Sequence, residues 1–151
     1  MKTKILFPAI AAGTLLFMAI YFFTNPSYQK SIEAKYYYET GDYKEAYRLA
    51  NEAFGIDVYN RMASTIMAQS KTSLKYVAYI EQAKEFMVEI NEIAKSDSIS
   101  DAQRAKIRLM SEIVVDSYVK LAPSVVTNSG LIKEAATYHA NFEKLLDKVT
   151  K

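Results

Sequence analysis

Apolar and polar positions along this chain fall into two regimes. Over residues 5–23 the run ILFPAIAAGTLLFMAIYFF carries no charge. A helix of that length rises about 1.5 Å per residue and spans roughly 28 Å, close to the hydrocarbon thickness of a bilayer. Beyond Asn25 the apolar residues recur three and four apart, which is helical spacing, and no stretch alternates convincingly with period two. In the fifth predicted helix Ile107, Met110, Val114, Tyr118 and Leu121 form one stripe. In the last, Leu131, Ala135, Tyr138, Phe142, Leu145 and Val149 alternate by four and three, a seam that over so short a length suits packing inside a bundle.

Breakers and caps divide the second regime. Asn25-Pro26-Ser27 predicts a helix over 26–40, and Gly41-Asp42 a turn. A second helix is expected over 43–54, stopped by Gly55. Asp57 reads as the N-cap of a third, over 58–69, and Thr72-Ser73 as the start of a fourth that reaches Lys95. Residues 96–100 form a polar loop. Ser100 and Gln103 have capping-box spacing, which starts a fifth helix that runs to Leu121. A loop over 122–130 then precedes the last helix, 131–149. The expected fold class is all-α: an N-terminal transmembrane helix, then a bundle of about six helices in antiparallel pairs.

Topology follows from the flanks of the first run. Lys2 and Lys4 precede it, so the positive-inside rule places residues 1–4 in the cytoplasm and the domain over 26–151 across the membrane. For a bacterial source that means a single-pass inner-membrane protein with a periplasmic domain. Tyr21, Phe22 and Phe23 close the span where aromatic rings favour the interface. A cleaved signal peptide would need a shorter apolar core and small residues before the cut. The run instead ends Ile-Tyr-Phe-Phe-Thr-Asn-Pro, which favours an uncleaved anchor.

Composition sharpens this picture in three places. Only 4 Gly and 3 Pro occur among 151 residues, so few positions resist a helix. Of 19 Lys and Arg, two precede the span, and the remaining 17 balance 17 Asp and Glu. The basic stripe that nucleic-acid binding requires is therefore missing. There is no cysteine, which removes disulfides, thiolate metal sites and cysteine catalysis.

The most informative stretch is SIEAKYYYETGDYKEAYRLANEAFGIDV, over 31–58. Ala34 and Ala46 are small where two helices would touch. Tyr37 and Tyr43 lie beside them, Gly41 sits at the turn, and Ala50 and Ala53 continue the second helix's packing face. In this pattern residues 30–58 resemble one tetratricopeptide repeat, a family built of roughly 34-residue helix–turn–helix units. A copy displaced by one such period would put Lys71 and Lys75 at the aromatic and turn positions, so the likeness covers one helix pair, about a fifth of the chain. The resemblance implies that the first helix lines a surface for peptides or helices. Its partner-binding residues here would be Tyr28, Ser31, Lys35, Tyr38 and Glu39. Because one pair cannot bury its own face, later helices are expected to cap it.

Other candidates have plain explanations. Tyr38 and Tyr47 stand out among six tyrosines between Tyr36 and Tyr59 as contact residues, since tyrosine is enriched at interfaces. Glu81, Glu85, Glu89 and Glu92 share one helical face and read as a solvated row opposite Ile80, Ala83, Met87, Ile90 and Ala94. His139 is the only histidine, with Glu143 one turn on, and a single histidine without cysteine makes a poor zinc site. No phosphate-binding glycine loop, nucleophile elbow or zinc-helix motif occurs. The sequence thus predicts no enzyme, no catalytic residue, no cofactor and no metal. It predicts a membrane-anchored protein–protein interaction or scaffold module that serves as an accessory subunit of an envelope complex. The alternative is a purely structural subunit that self-assembles or forms a ring through the 131–149 helix and has no peptide groove.

Overall fold

The computed structural model of the chain describes residues 3–96 and 98–150, with side chains from Leu6 onward. Met1 and Lys2, half of the expected cytoplasmic N-terminus, lie outside the described residues, as does Asp97 of the expected polar loop. The described residues form six α-helices and no strand: α1 (Thr3–Thr24), α2 (Pro26–Thr40), α3 (Tyr43–Ile56), α4 (Arg61–Ala94), α5 (Asp101–Tyr118) and α6 (Ser129–Thr150). The fold is all-α. The chain divides into two compact units, Met1–Ser70 and Lys71–Lys151, with the division inside α4.

In the first unit, α1 is long and apolar enough to cross a membrane, and no part of Leu6–Thr24 is buried. That exposure sets α1 apart from the core helix of a globular domain. The hydroxyls of Thr14 and Thr24 are satisfied within the helix, with Thr14 Oγ1 donating to the Ile10 carbonyl at 2.9 Å and Thr24 Oγ1 to Ile20 at 2.8 Å, as an apolar surrounding would require. Asn25 alone separates α1 from α2. Its side chain caps α2 by accepting from the amides of Ser27 and Tyr28, while its own amide donates to the Tyr21 carbonyl at 3.0 Å.

Helices α2 and α3 form a hairpin. The turn needs Gly41, whose φ of 90° lies in the left-handed region where a Cβ is strained. The hairpin core is made of Ala34, Ala46, Leu49 and Ala50 with Ile66 of α4, and Tyr37, Tyr38 and Met67 pack around it. Ala34, Ala46 and Ala50 thus occupy the helix contact, with Tyr37 packed against it.

The expected third and fourth helices are one helix. Residues 56–122 contain neither Gly nor Pro, and Thr72 and Ser73 lie inside α4 rather than at a start. Serine and threonine favour caps but tolerate helix interiors, so their presence alone does not break one. The start of α4 also differs from expectation. Gly55 stays helical and α3 ends at Ile56. The Asp57 side chain folds onto the Tyr59 amide at 2.9 Å, and Asn60 supplies the N-cap by accepting from the Ala63 amide at 3.1 Å. Five helices therefore follow α1, where about six were expected.

The second unit packs the later half of α4 with α5 and α6. Its core holds Tyr76, Tyr79, Ile80, Ala83 and Ile90 from α4, Ile107, Met110 and Val114 from α5, and Ala135 and Phe142 from α6. Both predicted stripes point inward, since Tyr118, Leu121, Leu131, Tyr138, Leu145 and Val149 pack around that core. The capping box is present, with Ser100 and Gln103 each bonding the other's backbone. Asn128 opens α6 by accepting from the Gly130 amide at 2.7 Å, two residues before the expected start.

Candidate partner-binding surface

The hairpin owes its register to a buried polar cluster. Ser27, Ser31 and Asn60 have no exposed surface. The Asn60 amide donates to both serine hydroxyls at 2.8 Å. Ser27 Oγ donates to the Ala53 carbonyl at 2.8 Å, and Ser31 Oγ to the Ser27 carbonyl at 2.9 Å. Each side chain thus finds partners, which removes the penalty of burying it and fixes α2, the end of α3 and the start of α4 in one arrangement.

This cluster decides which side of α2 faces outward. Positions 27, 31, 34 and 38 share a helical face, and that face packs inward. Ser31, expected on the partner surface, is instead buried, accepting from Asn60 and donating to the Ser27 carbonyl. Tyr38 is half-buried, packed on the hairpin core and against the Tyr43 ring at 5.4 Å. Lys35 and Glu39 are exposed as expected and pair one turn apart at 3.7 Å. Tyr28 is half-buried, and its ring meets Phe22 edge-on at 4.7 Å and Tyr21 at 6.3 Å, so it belongs to the joint with α1.

The exposed face also carries two residues that sequence reasoning passed over. Ile32 is 50% exposed and Tyr36 63%, the latter held by the edge of Tyr37 at 5.6 Å. Their i, i+4 spacing was the available signal. Together with Lys35 and Glu39 they form a surface with an apolar centre and one charge of each sign.

Around the flank of α3, Lys30 bonds Glu52 at 2.7 Å across the hairpin, and Arg48 pairs with both Glu52 and Glu45. The hydrogen bond from Lys30, with help from Arg48, holds the Glu52 carboxyl below its usual range. Arg48 does the same for Glu45. Tyr47 lines a shallow hollow of about 430 Å³ here with Lys44, Arg48 and Asn51.

The remaining candidates fall in the second unit. Glu81, Glu85 and Glu92 are exposed and Glu89 half-buried. Glu89 pairs with Lys106 and Glu92 with Lys95, so the row is solvated and partly neutralised. His139 stacks on Tyr118 at 4.2 Å, and its Nδ1 lies 3.5 Å from Glu143. Tyr79 is a polar group that no sequence pattern flagged. Its hydroxyl is buried without a hydrogen-bond partner, and burial, aided by nearby Tyr118, pushes the phenol up to about 12. Among the described residues no group of His, Asp or Glu converges as a metal site would. No protein-family model, curated protein or solved structure matches the chain.

Proposed function

We propose that this chain is a membrane-anchored interaction module, a non-enzymatic accessory subunit of a bacterial envelope complex. In this reading α1 crosses the inner membrane and the rest of the chain lies on the periplasmic side, where the outward face of α2 receives a protein segment. The observation that carries the reading is the pairing of exposed Ile32 and Tyr36 with Lys35 and Glu39 on a helix whose opposite face is locked by the Ser27–Ser31–Asn60 cluster. A rigid surface with an aromatic and an aliphatic anchor loses little entropy when a partner docks. Placement of that helix one residue after an apolar, unburied α1 would station it at the membrane. The stripe of α6 that a self-assembling subunit would use packs inside the second unit's core, which favours the interaction reading over the purely structural one.

The test is photocrosslinking in native membranes. A benzoylphenylalanine placed at Tyr36 of the full chain should capture one defined protein, and the Lys35→Glu substitution should reduce capture several-fold. A probe at exposed Leu109 should not capture that protein. Capture of a second copy of the chain at Tyr36 would move the structural subunit ahead. Equal capture from both positions would defeat the assignment of α2.

A further inference from the structure

The turn between α3 and α4 exposes an unusual set of side chains. The Asn60 amide N–H donates to the Asp57 carbonyl at 3.1 Å, which makes residues 57–60 a tight turn. Such corners are ordinarily polar or glycine-rich. Here they are Val58, 58% exposed, and Tyr59, 87% exposed. Ile56 and Met62 on either side are also exposed, so four large apolar or aromatic residues cluster on one short segment.

The buried cluster shows where this segment lies. Ser27 is three residues beyond Thr24, the last residue of α1. Its hydroxyl contacts both Ala53 and Asn60, the residues that bracket the turn. Helix α3 therefore returns to the level of the first turn of α2 and continues past it by three residues, about 4.5 Å of helix. The turn therefore emerges at the end of the hairpin from which α1 departs.

We infer that the α3–α4 turn is a second membrane contact, with Val58 and Tyr59 seated in the interfacial layer beside α1. The occupant is the bilayer itself. The exposed apolar residues of the turn lie at the same end of the hairpin as the junction with α1, and tyrosine favours the headgroup level. Asp57 does not oppose this, since its carboxylate is turned back onto the Tyr59 amide, and exposed Arg61 stands where anionic headgroups would meet it. The hairpin is then held at two points and cannot swivel about Asn25. The inference rests on the reading of α1 as a membrane anchor.

Because the chain lacks cysteine, the test needs no background substitutions. Single variants Val58→Cys, Phe17→Cys and Lys44→Cys of the full chain are labelled with an environment-sensitive fluorophore and reconstituted into phosphatidylcholine–phosphatidylglycerol vesicles. Val58 and Lys44 are both exposed, so neither label disturbs packing. Lys44 sits by the opposite turn of the hairpin. The expected result is a strong blue shift at 17, a clear blue shift with quenching by headgroup-proximal spin-labelled lipid at 58, and aqueous emission at 44. If 17 is shifted and 58 matches 44, the anchor stands, the turn contact is overturned, and the exposed turn awaits a protein instead. If 17 itself reports water, the anchor reading falls and the turn contact falls with it.

Discussion

The two halves of this molecule build a three-helix core from opposite materials. Around α2 and α3 the contact is made by Ala34, Ala46 and Ala50, with a polar cluster of Ser27, Ser31 and Asn60 at one end. Around α5 and α6 it is made by Ile107, Met110, Val114 and Phe142 against Tyr76, Tyr79 and Ile80. Small residues let helices approach closely but remove little apolar area from water, so direction has to come from hydrogen bonds. Large residues remove much area, and their shapes set the register. The first half therefore depends on a few specific polar contacts, and the second on volume.

The largest effect should come from removing volume. Phe142 has no exposed surface, and Phe142→Ala should destabilise the chain by about 3–5 kcal/mol. Thermal denaturation measures this, with hydrogen exchange expected to show the greatest loss of protection in α5 and α6. A loss below about 1 kcal/mol would mean that the second core is loosely packed and the comparison is wrong.

Next comes the polar cluster. Asn60→Ala removes a cap and leaves two buried hydroxyls short of a donor, which should cost about 1–3 kcal/mol. A double-mutant cycle with Ser31→Ala should show coupling, because the two changes break one network. Additive effects would show that the alanine contacts alone set the hairpin's register.

A smaller effect separates the halves by sign. Tyr79→Phe removes a buried hydroxyl that has no partner, so stability at neutral pH should stay level or rise by up to about 1 kcal/mol. In the parent chain the phenol's ordinary value of 10.0 is pushed up to about 12. Between those values the unfolded chain loses a proton that the folded chain keeps. Stability therefore falls as pH rises from 10 towards 12, by roughly 2 kcal/mol in all. Denaturant melts across that range should show the slope, and the phenylalanine variant should flatten it.

The smallest effect is on the hairpin flank. Glu52 and Glu45 have lowered values through Lys30 and Arg48, so their contribution is present above the ordinary 4.5 and is lost as pH falls below it. Salt screens such exposed pairs. A shallow acid slope that shrinks at high ionic strength is expected, and Lys30→Ala should reduce it further. A steep, salt-independent slope would point to a buried carboxylate elsewhere.

Sequence signals proved legible where one physical cause dominated. Proline with an asparagine cap placed α2 at 26–40, the left-handed Gly41 placed the hairpin turn, and the Ser100–Gln103 pair placed the start of α5. They failed where short polar side chains had two uses. Serine bonds the carbonyl one turn back as readily as it caps, as Ser31 and Ser111 do in mid-helix. Thr72-Ser73 resembled a start and lies inside α4, where Ser73 is simply buried. Asp57 and Asn60 both had the chemistry to cap α4, and only tertiary contact with Ser27 and Ser31 selected Asn60. The same ambiguity placed Ser31 on the candidate surface, although the period of 27, 31, 34 and 38 already put it on the side of Ala34.

The one-residue joint at Asn25 has a consequence for kinetics. A flexible linker of n residues would let a domain search a volume that grows as roughly 5–6 Å times the square root of n. Here that volume collapses. The Tyr21 carbonyl bonds Asn25, Tyr28 packs on Phe22, and the Gln29 side chain reaches back to the Phe23 carbonyl, so the joint is clamped from three sides. In the proposed reading, with α1 held in a bilayer, encounter would become a two-dimensional problem. The proposed face on α2 would sweep a layer no deeper than that helix, about 22 Å above the surface, and its effective concentration would be high for anything confined to that layer. A ligand that drifts far from the membrane would be out of reach, and lateral diffusion would set the rate of meeting.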